Sequence, residues 1–406
     1  MNIPNKVSVL FMQSQSYFGS DSMVHSLIMR ELDRDRFDVH VACNRGVGGE
    51  KSASLAVLER MPNLRVRPTR FGPSVNAKPT WEIVSETARQ GISGVLGLAG
   101  LAAYARSNRV RIVHGTEKPR DALYGLLLAR AVGAKAITHL HVGVDSWMSP
   151  LTRWAMRHDD ALIGVSEFVA RTAVTSGYSA AKVTWVLNGI DSSRWDPAAD
   201  GTAVRREFGI DVDIPVVSSI SRLFPWKGHS LLLDALAKVK ASGTRFKLLV
   251  VGEDDPRATP GGSSQLSAIR SQVDRLGLPG EVIFTGFRSD VAGILAATDV
   301  YAMPSFEEPC SVAFLEAMAM ARPVVALRSG GTPELVEHGE TGLLSLPGEV
   351  DSLAANLSAL LIDRTARRSM GLRARERAES LFTPERLAAN VEAVYQRVLA
   401  FPPPSQ

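Results

Sequence analysis

Glu308-Pro-Cys-Ser-Val-Ala-Phe-Leu-Glu316 runs without a break into Ala317-Met-Ala-Met-Ala-Arg-Pro-Val-Val-Ala-Leu327. Pro309 and Ser311 mark a helix start with Ser311 as its N-cap, and Arg322-Pro323 closes that helix ahead of a β-branched strand. The stretch reads loop, helix, strand. Glu308 falls just before the positive end of the helix dipole and Glu316 about a turn into the helix, so the two carboxylates flank an anion site. A retaining glycoside hydrolase needs its carboxylates about 5 Å apart. Eight positions along a loop and a helix rising about 1.5 Å per residue put these on the order of 10 Å apart. That separation suits hydrogen bonds to two sugar rings joined through phosphates. Spacing alone leaves the plainer account open, with Glu316 a solvated helix residue and Glu308 a partner of the dipole.

Working outward, apolar strands alternate with helical patterns in two series. The first comprises Val7–Met12, Val39–Cys43, Val110–His114, Ala136–Leu140, Ala161–Val165 and Val183–Leu187. The second comprises Val216–Ile220, Lys247–Val251, Val282–Thr285, Val300–Met303, Val324–Leu327 and Gly342–Leu346. Nearly continuous apolar strands separated by helices predict parallel sheets covered on both faces, so the fold class is α/β with two doubly wound, Rossmann-like domains. Ligands of such sheets bind beyond the carboxyl ends of the strands, and two facing edges would make a cleft. Turn residues in Asp191–Gly201 place the boundary near 190–212, giving domains 1–195 and 196–382. A last segment, 383–406, opens with Thr383 as N-cap and Pro384 at the first helical position, carries an apolar stripe of Leu387, Val391, Val394 and Val398, and ends in the tail Pro402-Pro-Pro404.

The chain has 406 residues, 45% hydrophobic and 22% charged, enough for two cores and too apolar for disorder. Its charge of +4 is a mild excess, with no basic cluster interleaved with aromatics, so a nucleic-acid partner is not expected. No stretch is long and apolar enough to span a bilayer, and Met1-Asn-Ile-Pro-Asn-Lys lacks a signal-peptide core; the expected location is cytoplasmic, with peripheral contact at the inner membrane face left open. The uncharged run Gly91–Ala105 is too short to span and predicts a buried helix. Cys43 and Cys310 fit no metal spacing and read as packed thiols.

Two cations, Arg222 and Lys227, lie in Ser221-Arg-Leu-Phe-Pro-Trp-Lys-Gly228, directly after the first strand of the second series. A strand-to-helix loop so charged is where a diphosphate sits, because charge developing on a leaving nucleoside diphosphate is best neutralised by preorganised donors. In the first series Thr138-His-Leu-His141 ends one strand and His114 ends the strand before it. Three histidines at the ends of successive strands mark a second candidate location. Other motifs fail: Glu50 interrupts the P-loop-like Gly46–Ser52, no G-x-G-x-x-G follows the first strand, and no nucleophile elbow or zinc signature occurs.

Glu308 to Glu316 resembles the E-x7-E element of the retaining GT-B glycosyltransferases of family 4. Ser221–Gly228, Val250-Val-Gly252, Phe284-Thr-Gly286, Tyr301-Ala-Met-Pro-Ser305 and Ser329-Gly-Gly-Thr-Pro-Glu-Leu-Val336 follow in that family's order. The resemblance implies the GT-B fold, a last helix that crosses back to the first domain, and transfer of a sugar from a UDP- or GDP-sugar to a hydroxyl acceptor with retention. It implies no cofactor and no metal beyond the nucleoside-diphosphate sugar co-substrate. By the same resemblance Arg222 and Lys227 bind the donor diphosphate, Glu316 the ribose hydroxyls, and Glu308, rather than its neighbour Glu307, the sugar hydroxyls. Backbone N–H groups of Cys310, Ser311 and Val312 would face sugar and phosphate. His141 takes the place of the family's histidine near the donor sugar, with His139 and His114 as competitors. Gly19 stands in the loop after the first strand where the family has a glycine pair, Ser20 replacing the second; Gly330 and Gly331 allow a tight turn. Ser311 and Cys310 replace the family's usual glycine and aromatic, which leaves the donor sugar open. The rival readings are a GT-B-like nucleotide-sugar epimerase and a non-catalytic nucleotide-sugar-binding protein, and the acceptor ranges over glycans, lipid-linked sugars and small molecules.

Overall fold

In a computed structural model, which describes residues 6–46, 50–72, 80–144, 148–254 and 264–400, the chain divides into two compact units. One comprises 1–188 with 384–406, the other 189–383. The tail Pro402–Pro404 and the middle of Gly46–Ser52 lie outside the described residues.

The first unit carries seven strands: β1 (Val7–Gln13), β2 (Phe37–Asn44), β3 (Arg65–Thr69), β4 (Val110–Thr116), β5 (Lys135–Leu140), β6 (Ala161–Gly164) and β7 (Val183–Trp185). They pair in parallel in the order β3-β2-β1-β4-β5-β6-β7. The second carries β8 (Val216–Ile220), β9 (Lys247–Val251), β10 (Val282–Gly286), β11 (Val300–Ala302), β12 (Val324–Leu327) and β13 (Gly342–Ser345), ordered β10-β9-β8-β11-β12-β13 and again parallel. Both are doubly wound sheets, as the alternation of apolar runs and helices predicts. The strands are continuous in apolar residues because helices cover both faces; in the second unit Leu248, Val250 and Val300 pack with Leu236 and Leu357 on one face, while Leu249 and Val216 meet Ile294 and Val204 on the other.

The order of each sheet reverses once, between β1 and β4 and between β8 and β11. At such a point the loops leaving the two strands diverge and open a crevice. The candidate residues lie at these two places, after β1 and beside β4 in one unit and after β8 and β11 in the other.

Three readings of the sequence need correction or addition. Strand β3 was not anticipated: Arg65-Val-Arg-Pro-Thr69 is a mostly exposed edge strand, so its residues carry no apolar signal. The run Gly91–Ala105 belongs to the helix Thr80–Ser107, yet it is not buried throughout. Leu101 and Ala105 face the core, whereas Val95 and Leu96 are each 67% exposed. The last helix, Pro384–Ala400, packs in the first unit on the helix Ser20–Glu31. There the Glu392 carboxylate accepts from the Asp33 backbone N–H at 2.8 Å and pairs with Arg36 at 2.9 Å.

Candidate functional site

In the second unit, loops after three adjacent strands are tied together by backbone. The Phe306 N–H donates to the Trp226 carbonyl at 2.8 Å, the Glu307 N–H to Ser329 Oγ at 2.9 Å, and the Gly331 N–H to the Glu308 carbonyl at 2.7 Å. Two glycines make this closeness possible. Gly228 has φ +76 and a Cβ there would stand 2.0 Å from the Pro304 carbonyl oxygen; Gly330 has φ +60 and would meet the Glu308 carbonyl oxygen at 2.4 Å. Both conformations are left-handed ones that a side chain resists. Gly331, the other candidate for the tight turn, has no positive φ.

On this platform the Lys227 ammonium lies 2.8 Å from the Glu308 carboxylate and 4.1 Å from the centre of the Trp226 ring. Glu308 is 5% exposed, whereas Glu307 is exposed and has a left-handed φ of 49. Of the two neighbouring carboxylates, the geometry sets Glu308 beside the lysine. Arg222 is exposed, with its guanidinium 5.2 Å from the Phe224 ring.

The helix Val312–Ala319 begins at Ser311, whose hydroxyl accepts from the Phe314 N–H at 3.3 Å as its N-cap position predicts. Cys310 and Ser311 are buried and Val312 partly so. Glu316 occupies the second turn, partly buried and enclosed enough that desolvation pushes its carboxyl up to about 7, against the opposing pull of Arg194. A carboxyl poised there is half ionised near neutrality. Arg194 lies in the segment 192–194, which the sequence offered only as a linker.

In the first unit Gly19 is the N-cap of the helix Ser20–Glu31. A Cβ on it would meet Asp21 Oδ1 at 2.9 Å and the Tyr17 ring at 3.0 Å, both movable side-chain atoms. His141 follows β5 directly and is partly exposed; its backbone N–H donates to Glu117 Oε2 at 3.0 Å. His139, within β5, and His114, within β4, are fully buried, and His114 Nδ1 is 2.6 Å from the Tyr395 hydroxyl of the last helix. His114 is thus held by the core, and of the three histidines His141 alone keeps exposed surface.

His25, from the helix Ser20–Glu31, joins these three, and no sequence signal marked it. Its Nε2 is 3.3 Å from His141 Nε2, and its ring stacks on His139 at 5.3 Å. Burial pushes all four imidazoles below their usual range, His25 and His139 well below it and His114 to about 3, with mutual repulsion adding to the effect. For His141 the nearby Glu117 and Asp21 carboxylates oppose that fall. Lys118 pairs with both carboxylates, at 3.4 Å and 3.3 Å. Cys43 and Cys310 are buried thiols outside any disulfide, the former raised to about 12 by burial.

Comparison with known proteins agrees with this architecture. The family pattern described as Glycosyl transferases group 1 matches residues 200–377, and that of Glycosyltransferase Family 4 matches residues 23–194. The Mycobacterium tuberculosis GDP-mannose-dependent alpha-(1-6)-phosphatidylinositol monomannoside mannosyltransferase is 31% identical over 65% of this chain and 70% of its own length. The Bacillus anthracis N-acetyl-alpha-D-glucosaminyl L-malate synthase is 28% identical over 74% of this chain and 78% of its own. Among solved structures, Anabaena HepE in complex with UDP and glucose superposes with a TM-score of 0.78 at 23% identity, covering 96% of this chain and all of that one. Sucrose-phosphate synthase from Thermosynechococcus elongatus does so with a TM-score of 0.78 at 21% identity, covering 97% and 100%. The two doubly wound units are those of the GT-B fold. The chain belongs to glycosyltransferase family 4, the group 1 glycosyltransferases.

Proposed function

We propose that this glycosyltransferase takes a UDP- or GDP-sugar and transfers the sugar to an acceptor hydroxyl with retention of anomeric configuration, without a metal ion at the diphosphate. The observation that carries the reading is the Lys227–Glu308 pair, 2.8 Å apart, set after β8 and β11 where the sheet order reverses. In this assignment the Lys227 ammonium and Arg222 neutralise the diphosphate, while Glu308 turns to the sugar hydroxyls. The backbone N–H groups of Cys310, Ser311 and Val312 add the start of the helix dipole, and Glu316 holds the ribose. Preorganised cations of this kind supply the charge stabilisation that a divalent ion supplies elsewhere. From the first unit, His141 and Gly19 are assigned to the substrates. The acceptor oxygen forms a bond to the anomeric carbon on the face from which the phosphate oxygen leaves. The acceptor proton passes to that departing phosphate.

The relatives named above support a nucleotide-sugar donor: one is GDP-mannose-dependent and one structure holds UDP with glucose. Among the described residues no helix is long and apolar enough to cross a membrane, so a lipid-linked acceptor would be met at a membrane surface. The test is a melting screen of the full chain against UDP, GDP and their sugars. A stabilising nucleotide names the base, since a ligand that binds only the folded state raises the midpoint by mass action. The sugar of that nucleotide is then supplied with candidate acceptors and the anomer of the product read by NMR. A product of inverted configuration, or no nucleotide that stabilises, refutes the proposal.

A further inference from the structure

The three side chains His25, His139 and His141 converge in the first unit, their candidate ligand nitrogens all within 4.8 Å of one another. We propose that they form a three-imidazole site for a divalent d-block cation of the zinc type. Zinc binds nitrogen at about 2.0–2.1 Å in a tetrahedral arrangement, which places two ligand nitrogens roughly 3.3 Å apart. The Nε2 atoms of His25 and His141 are 3.3 Å apart. His139 gives an independent indication: it is fully buried and neither ring nitrogen has a hydrogen-bond partner among the described residues, whereas buried polar groups normally have one.

The surroundings meet two further requirements. A ligating imidazole is normally oriented through its other nitrogen. The Gln13 amide nitrogen lies 2.9 Å from His25 Nδ1 and its carbonyl oxygen accepts from the Ser22 hydroxyl at 3.0 Å; with the amide turned over, its oxygen accepts Nδ1–H, its nitrogen donates to Ser22 Oγ, and Nε2 keeps a lone pair for the ion. Glu117 and Asp21, whose carboxylates act on His141, bring two negative charges against the single positive charge of Lys118 that pairs with both, which leaves one to offset the ion. Three protein nitrogens leave a fourth position for water, and the partly exposed His141 gives the ion an entry side. Imidazole sites favour zinc, nickel and copper over magnesium or calcium. Occupancy ties up His141 and slows sugar transfer; that consequence rests on the proposed function, whereas binding does not.

The test needs no sugar. Cobalt(II) added to the metal-free full chain is expected to give visible d–d bands saturating at one equivalent, displaced by zinc. His25→Asn and His139→Asn are expected to abolish the bands with the far-UV spectrum unchanged, and Gln13→Leu to weaken binding about 10- to 100-fold. Should a variant not fold, X-ray absorption on the zinc-loaded native chain decides, with three imidazoles expected in the first shell. Absence of the bands, their persistence in both folded histidine variants, or a shell with fewer than three imidazoles overturns the site. Loss of the site leaves the transferase reading standing, and failure to find a donor leaves the site standing.

Discussion

Removing the Lys227 ammonium should cost both stability and turnover, and a second substitution should separate the two. At 2.8 Å the pair with Glu308 has a Coulomb energy of about 6 kcal/mol if the effective dielectric constant is about 20. Desolvation cancels much of that, so the pair itself contributes little net stability. Lys227→Ala alone, however, leaves the Glu308 carboxylate buried without its partner, a situation that costs about 3–5 kcal/mol in buried pairs. Both side chains here keep a little exposure, so the lower end, about 3 kcal/mol, is expected. For units of this size each kcal/mol corresponds to about 2–4 °C in melting temperature. Lys227→Ala combined with Glu308→Gln removes the stranded charge and should recover most of the loss. Turnover should behave differently: losing a preorganised donor to the leaving group costs about 100- to 1,000-fold, and the double variant should not recover it. Melting curves and steady-state transfer rates on the single and double variants give both readouts. Unchanged turnover in Lys227→Ala removes the lysine from the diphosphate, and a double variant no more stable than the single one refutes the stranded-charge argument.

Glu316 supplies a pH signature. With its carboxyl raised to about 7 by burial, Glu316 becomes increasingly ionised through neutrality; in the proposed role the ionised form accepts both ribose hydroxyls, so donor affinity should rise as pH goes from about 6 to about 8, and be flat in Glu316→Gln, which calorimetric titration across that range checks. The same shift makes the ionised form unfavourable in the folded chain, so Glu316→Gln should raise stability above pH 7 relative to the parent, as unfolding midpoints at pH 5 and 8 will show. Gly330→Ala combines a left-handed φ with a Cβ 2.4 Å from the Glu308 carbonyl oxygen, and should destabilise by about 2–4 kcal/mol while displacing Glu308, read as lost melting temperature and lost transfer together. Tyr395→Phe removes the hydroxyl 2.6 Å from His114 and should cost about 1–3 kcal/mol without altering donor affinity, which separates the structural histidine from the proposed functional one.

What could be read from the sequence follows from burial and from separation along the chain. Strands such as Leu248–Val251 and Val324–Leu327 are legible because both faces are covered and every residue is apolar. Strand β3 is not, because an edge built from Arg65, Arg67 and Pro68 is chemically a loop that happens to pair. Ser311 declared its helix start locally, through one hydroxyl and the residues beside it. The Lys227–Glu308 pair spans 81 positions, and the sequence, which sent one residue to phosphate and the other to sugar, had no means of setting them in contact. His25 is harder still: an interior position on an ordinary helix became part of a histidine cluster only because that helix packs over β4 and β5. Arg194, in a segment that reads as linker, lies close enough to Glu316 to act on its charge.

The central claim is that Arg222, Lys227 and Glu316 hold a nucleoside diphosphate at the carboxyl edge of the second sheet. Isothermal titration of the full chain with UDP and with GDP tests it most directly. One of the two should bind at a single site, with affinity lost in Lys227→Ala and reduced in Glu316→Gln. Binding of neither, or binding indifferent to both substitutions, would contradict the account.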